Sequence, residues 1–359
     1  MKRSLGLWLV VVLAGCSREL RPVVVTPQGA SVPACEGWAR DDHGVERAAG
    51  TWRFFFPSGR LRALGEFDHG PSVASSKMLL ADGDPPLDGR AGRWTTWSET
   101  GVVLSEGAYR DGRPHGFWRR RDERGAVREE GSYWSGKRLG LHRAWHANGV
   151  LAREGDFHFD RERGVHREWD EAGTLRRRAE FENGRMEGWL HAWDAHGVLR
   201  ERAHYRAGKL DGRRVLWDEL ERITSRAQYA NGVQDGASTL FHDNGVVRSR
   251  SNWSAGVQAG VACGFDAEGR REWAGYFVDG RLDGVRLAWH PNGALRSRTT
   301  FVAGREHGPA EEFDDSGRLR ASGSWRDGVR AGQWTCWLPD GTIDTELTGS
   351  YSANQLVTK

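Results

Sequence analysis

The sequence predicts an all-β fold: an elongated, single-sheet antiparallel β-meander, or solenoid, of about twelve 24-residue β-hairpin repeats. Three observations carry that prediction. Glycines recur every 24 residues without a slip, side chains between them alternate with a period of two, and turn signatures fall at two fixed places in each period.

Internal periodicity bounds the fold before any single residue does. Glycines stand at 92, 116, 140 and on to 332, always 24 apart, and each marks position 0 of a unit. A second glycine falls at position 9, as in Gly101, Gly173 and Gly293, and a third at position 20, as in Gly112, Gly232 and Gly304. Residues 50–70 keep the same internal spacing and form a first unit, set apart from Gly92 by residues 71–91.

Position 5 is aromatic in nearly every unit, as in Trp97, Trp145, Trp169, Trp193, Trp217 and Trp289. Position 17 is aromatic too: Tyr109, Phe157, Phe181, Tyr205, Tyr229 and Phe301. Position 11 is aliphatic (Leu151, Leu175, Ile223), and position 15 is small (Gly107, Gly155, Ala203). Positions 12 and 14 are largely Arg and Glu. A period of two with an apolar and a charged side is the pattern of a strand with one face in water. The expectation is therefore one aromatic face, made of the twelve residues just named at positions 5 and 17, opposite one charged face. That aromatic face is the candidate binding surface.

The turns follow from residue chemistry. Before the position-9 glycine runs Asp-Glu-Ala-Gly at 170–173 or His-Pro-Asn-Gly at 290–293. Asp or Asn first and Gly last suits a type I turn. The second connection, Gly-Lys-Leu-Asp-Gly at 208–212, is equally short, so each strand is expected to pair with its neighbours. At about 4.8 Å per strand, each unit advances roughly 10 Å. Arrays of this kind are stabilised by nearest-neighbour interfaces and need capped ends.

The ends carry different information. Lys2 and Arg3 precede an apolar run at residues 5–14, too short for a bilayer and of signal-peptide character. The run ends in Leu13-Ala14-Gly15-Cys16, which resembles the bacterial lipobox. The resemblance implies that residues 1–15 are a cleaved signal peptide and that Cys16 carries the lipid. With Ser17 following, it favours the outer membrane if the host is Gram-negative. Residues 16–49, with Pro22, Pro27 and Pro33, read as a tether between lipid and repeats. Residues 71–91 read as a loop, with Met78, Leu79 and Leu80 as contact residues, and 92–359 as eleven contiguous repeats with a C-terminal cap.

The spacing aromatic-x-x-Gly-x-x-x-Gly-x-x-x-x-aromatic, as at residues 205–217, resembles MORN repeats, and more closely the bacterial variant of YwqK-family antitoxin type. Arg121 at an aromatic position, and Asp160 and Glu221 at glycine positions, depart from it. The resemblance implies β-hairpin arrays that contact proteins or membranes and hold no catalytic residues.

Position 6 alternates His and Asp (His146, Asp170, Asp194, Asp218, His242, Asp266, His290, Asp314), as a ladder of metal ligands would. Zinc ligands lie within about 2.0–2.3 Å of the ion, whereas successive rungs are roughly 10 Å apart, so these residues are expected to cap turns. The second-turn residues His115, Asp211, Asp235, Asp283 and His307 meet the same objection. No catalytic triad, carboxylate pair or phosphate loop stands outside the repeat pattern, and neither an enzyme nor a cofactor is expected. Cys263 and Cys336 lie too far apart to bond, since a disulfide needs Cα atoms within about 7 Å. The precursor charge of +3 from 52 basic and 49 acidic residues is nearly balanced, so nucleic acid is not an expected partner. The function expected is a membrane-anchored, exported protein-interaction scaffold, antitoxin- or immunity-like by resemblance. The alternative is a cell-envelope glycan-binding protein whose aromatic face stacks on sugars.

Overall fold

The computed structural model describes residues 9–12, 20–27, 29–74 and 85–358, the first group by backbone alone. Among the described residues every regular element is a β-strand. The chain forms two compact units, Met1–Arg185 and Met186–Lys359. Within each, consecutive strands pair antiparallel, as the glycine period predicts.

One repeat shows how the sequence sets the geometry. Lys209–Trp217 and Ile223–Ala230 form a hairpin in which Gly212 faces Tyr229, Arg214 faces Ala227 and Leu216 faces Ser225. The register then slips, so that Trp217 faces Ile223 and residue 224 is extra. In repeat coordinates, 0 faces 17, 2 faces 15 and 4 faces 13, then a bulge at 12 sets 5 against 11. A one-residue slip carries every later side chain to the other face of a sheet. A second slip separates successive repeats: Ala203 faces Arg214, but Tyr205 faces Leu210.

Both turns are of the expected length. In the first, the Gly173 N–H reaches the Asp170 carbonyl at 3.0 Å and Gly173 takes φ +85°. The second is a two-residue turn with positive φ at both residues, as in Asn231 (53°) and Gly232 (92°). That is the type I′ geometry whose twist matches paired strands. Position 19 is held there by Ala207, Ala255 and Ala303, with φ near 50° despite a Cβ.

In the first unit, residues expected to be a tether are folded instead. Arg21–Thr26 pairs with Cys35–Asp42, which pairs with Val45–Phe55. Val23, Val25, Cys35, Ala39 and Ala48 are buried there with Trp52, Phe54, Phe67 and Trp94. Burial alternates along Arg21–Thr26, so the prolines flank or tolerate a strand rather than forbid one. Leu9–Val12 pairs with the same strand. Cys16, and with it the lipidation expectation, lies outside the described residues. So do Met78, Leu79 and Leu80.

The described flanks of the 71–91 insertion are docked, not loose. Val73 is buried, and its N–H reaches the Glu46 carbonyl. Arg90 is 5% exposed. It donates to the Pro85 and Pro86 carbonyls and to the Tyr109 hydroxyl, and it lies 4.2 Å over the Trp94 ring.

The second unit ends in a small core of Ala310, Ala321, Trp334, Cys336 and Tyr351. The last repeat has a longer first connection. Tyr351 nonetheless stands opposite Gly332, the place position 17 takes in every other repeat.

Candidate functional site

The register divides the twelve candidate aromatic residues between two faces. Tyr109, Phe157, Phe181, Tyr205, Tyr229 and Phe301 lie on the face of positions 0, 2, 4, 13, 15 and 17, the ring face. Trp97, Trp145, Trp169, Trp193, Trp217 and Trp289 lie on the opposite face with positions 1, 3, 11, 12, 14 and 16, the arginine face. The single aromatic face read from parity is therefore corrected: counting by twos from 11 to 17 passes over the extra residue at 12. Nor do aromatics and charges segregate, because each face carries both. Phe157 is buried, and the other eleven are half-buried.

The ring face of the first unit is built from a position the pattern did not single out. Position 2 holds Trp52, Trp94, Trp118, His142 and His166. Each of these rings sits edge-to-face against position-17 neighbours, from Trp52–Phe67 and Tyr109–Trp118 to His166–Phe181, with centroids 4.8–6.4 Å apart. Such pairs contribute about 0.5–1.5 kcal/mol beyond area burial.

Two details fix these rings. Trp94, Trp118, His142 and His166 each lie flat over the position-15 glycine of the preceding repeat, where a Cβ would come within 2.0–2.2 Å of the ring for Gly65, Gly107, Gly131 and Gly155. Each ring N–H also donates to the position-16 carbonyl left unpaired by the slip between repeats. Trp118 Nε1 reaches Ala108 O at 2.8 Å, His142 Nε2 reaches Ser132 O at 2.8 Å, and His166 Nε2 reaches Asp156 O at 2.9 Å. Burial holds His142 below the ordinary imidazole pKa, so the neutral donor tautomer prevails. A signal for this site exists in the sequence: a large ring at position 2 follows a glycine at position 15.

In the second unit position 2 is Leu190, Arg214, Ser238, Ala262, Arg286 and Ala310 before Trp334 restores the ring, over Gly323 and bonded to Ser324 O at 3.0 Å. Beside Ala262 and Arg286 the slip is closed by backbone instead. Ala259 N–H donates to Asn252 O and Asp283 N–H to Tyr276 O, both at 2.9 Å.

The arginine face differs between units as well. In the first, its central row alternates in sign. Arg119 and Arg143 share Glu130 at 3.0 and 3.8 Å, and Arg143 and Arg167 share Glu154 at 3.6 and 2.9 Å. Arg121 binds Glu106 at 2.6 Å and, with Arg93, holds that carboxyl below its usual range. In the repeats starting at Gly188, Gly212 and Gly236, no Asp or Glu occupies positions 1, 3, 5, 11, 12, 14 or 16. Position 14 holds Arg202, Arg226 and Arg250, and each has a ring as neighbour: Trp189 at 4.2 Å, Phe241 at 5.4 Å and Phe265 at 5.9 Å. A groove there is lined by Trp189, Arg202, Arg213, Val215, Trp217, Ile223, Arg226 and Gln228.

The position-6 residues serve the turns. Asp170 Oδ1 accepts the N–H groups of Ala172 and Thr174, and those bonds, Thr174 foremost, hold its pKa low. His146, His242 and His290 each bond through Nε2 to the position-5 carbonyl of the next repeat at 2.8–2.9 Å. At the second turn, Asp211, Asp235 and Asp283 accept the N–H of Asn231, Ala255 and Ala303. Among the described residues no three His, Cys, Asp or Glu side chains converge as a metal site would require. Cys263 and Cys336 are free thiols. Burial pushes Cys35 up to about 12, which leaves it protonated and unreactive at neutral pH.

No family model matches this chain, and no curated protein does. Among solved structures, a TcdB2–TccC3–Cdc42 crystal structure is 11% identical over 89% of this chain and 18% of its own, with a TM-score of 0.18. A TcdB2–TccC3–TEV structure is 12% identical over 92% and 21%, with a TM-score of 0.18. A TcdB2–TccC3 structure is 14% identical over 86% and 21%, with a TM-score of 0.14. The chain thus spans 18–21% of the length of these proteins, and TM-scores this low give the likeness no weight.

Proposed function

We propose that this chain is a non-catalytic protein-interaction scaffold of MORN-like repeats, exported and held at a membrane by a lipid on Cys16. The observation that carries the reading is the contrast on the arginine face. Position-3 arginines are paired with position-14 glutamates in residues 92–185, whereas in residues 186–265 position 14 is itself arginine and lies beside rings. Half-buried rings and arginines beside apolar residues such as Ile223 are the composition of protein contact surfaces. The MORN resemblance places the partner among envelope or secreted proteins, a toxin included, with this chain as its immunity-like counterpart.

Crosslinking in intact cells followed by purification from the membrane fraction tests the reading. A stoichiometric protein partner is expected with the wild-type chain, and Cys16→Ser is expected to release the chain from membranes. Recovery of the chain alone, or no effect of Cys16→Ser on fractionation, counts against the respective half of the proposal.

A further inference from the structure

We propose that the arginine face of residues 189–265 docks an extended acidic polypeptide segment laid across the strands, its carboxylates pairing in turn with Arg202, Arg226 and Arg250. This rests on the scaffold reading above and names the chemistry of its partner.

Three features point to that occupant. First, the strand positions of this face carry no carboxylate in three consecutive repeats, and the turn residue Asp194 is already paired, with Arg200 at 3.6 Å. Second, the three guanidiniums are already placed. Each lies against an aromatic ring, at 4.2, 5.4 and 5.9 Å. Stacking occupies the flat of a guanidinium and leaves its in-plane N–H groups for a bidentate carboxylate pair. A side chain held this way loses less entropy when it binds. Third, the spacing is that of a sparse polyanion. Equivalent residues in successive repeats are two strands apart, roughly 10 Å. A polyproline II segment rises about 3.1 Å per residue with three residues per turn, so an acid at every third position recurs every ~9 Å.

A nucleic acid fits less well. Duplex DNA presents a charge every ~1.7 Å, and base stacking needs open ring faces, whereas Trp189, Phe241 and Phe265 have arginine over them. The half-buried Trp217 and Ile223 of the same groove give apolar contacts suited to proline or aliphatic side chains.

The test uses the full chain and a fluorescent peptide of six Glu-Pro-Pro triplets, read by anisotropy. The wild type is expected to bind it and to ignore the Gln-Pro-Pro counterpart. The triple variant R202Q/R226Q/R250Q is expected to bind at least about tenfold more weakly, with an unchanged unfolding midpoint. Arg→Lys at the same sites keeps the charge but loses the planar fork, and an intermediate loss is expected. The matched triple R119Q/R143Q/R167Q is expected to bind as the wild type does. Equal binding by R202Q/R226Q/R250Q overturns the proposal, as does tighter binding of single-stranded DNA or of phosphatidylglycerol vesicles than of the peptide. A partner still crosslinked in cells to R202Q/R226Q/R250Q sinks this inference and spares the scaffold reading. Peptide binding without any cellular partner does the reverse.

Discussion

The repeats of residues 92–185 and those of residues 186–331 share a period, a register and both turns, yet they satisfy one backbone defect in two ways. Where successive hairpins slip past each other, a position-16 carbonyl loses its strand partner. In the first unit Trp118, His142 and His166 insert a ring N–H. In the second, at Ala259 and Asp283, the backbone closes on itself. The arginine face differs as well: glutamates answer the position-3 arginines of the first unit, rings stand beside Arg202, Arg226 and Arg250 in the second, and the ion pair returns at Arg298 and Glu311. The comparison teaches that a repeat can be kept for its fold in one stretch and for its surface in another without any change of register. Buried polar atoms left without partners cost about 1–3 kcal/mol each, so both closures are needed for folding. Only the choice of closure is free.

The largest effect should come from breaking a ring plug. Trp118→Ala removes a side chain 7% exposed and strands the Ala108 carbonyl, and a loss of about 3–5 kcal/mol is expected in denaturant unfolding. Arg286→Ala, at the same position of a repeat closed by backbone, should cost under about 1 kcal/mol. Equal costs would dissolve the comparison.

A smaller, pH-dependent effect separates His142 from its tryptophan equivalents. Burial lowers its pKa from 6.5 in the folded state. The unfolded chain therefore binds more protons as the pH falls below about 6.5, and stability contributed by the neutral ring is lost on acidification. His142→Trp, placed over Gly131 as Trp118 is over Gly107, should flatten stability against pH below about 6.5. A profile identical to the wild type would show that His142 does not titrate into this equilibrium.

The smallest effect concerns the type I′ turns. Both units hold position 19 in the left-handed region, with Asn or Asp, which tolerate it, at Asp111, Asn183, Asn231 and Asp279, and with alanine at Ala207, Ala255 and Ala303 in the second. Ala255→Gly should stabilise by at most about 1 kcal/mol, the relieved Cβ strain exceeding the added unfolded-state entropy. Asn183→Gly should change stability little. Thermal melts of the two variants check the pair.

How much of this was legible in the sequence depends on what repeats. Glycines at positions 0, 9 and 20 define strands and turns because each occupies a backbone conformation that other residues resist, as Gly173 and Gly232 do. The faces were not legible by parity, because the extra residue at position 12 looks like any other polar strand residue. Arg200 and Arg248 carry no mark that the register slips there. The ring plugs were legible in principle, since Gly107 with Trp118 and Gly155 with His166 vary together against Thr299 with Ala310. That covariation joins positions 11 residues apart in neighbouring repeats and is invisible within one repeat. Arg21–Thr26 escaped notice because three consecutive valines hide the alternation that burial reveals.

The proposed partner meets the arginine face of residues 189–265 and not that of the first unit. A photo-crosslinking residue at position 16 of each unit tests it most directly: Ser132 beside the ion-paired row, and Gln228 beside Arg226 in the groove. Irradiation of cells should give a protein adduct from position 228 and none from position 132. Adducts from position 132 alone, or equally from both, would contradict the account.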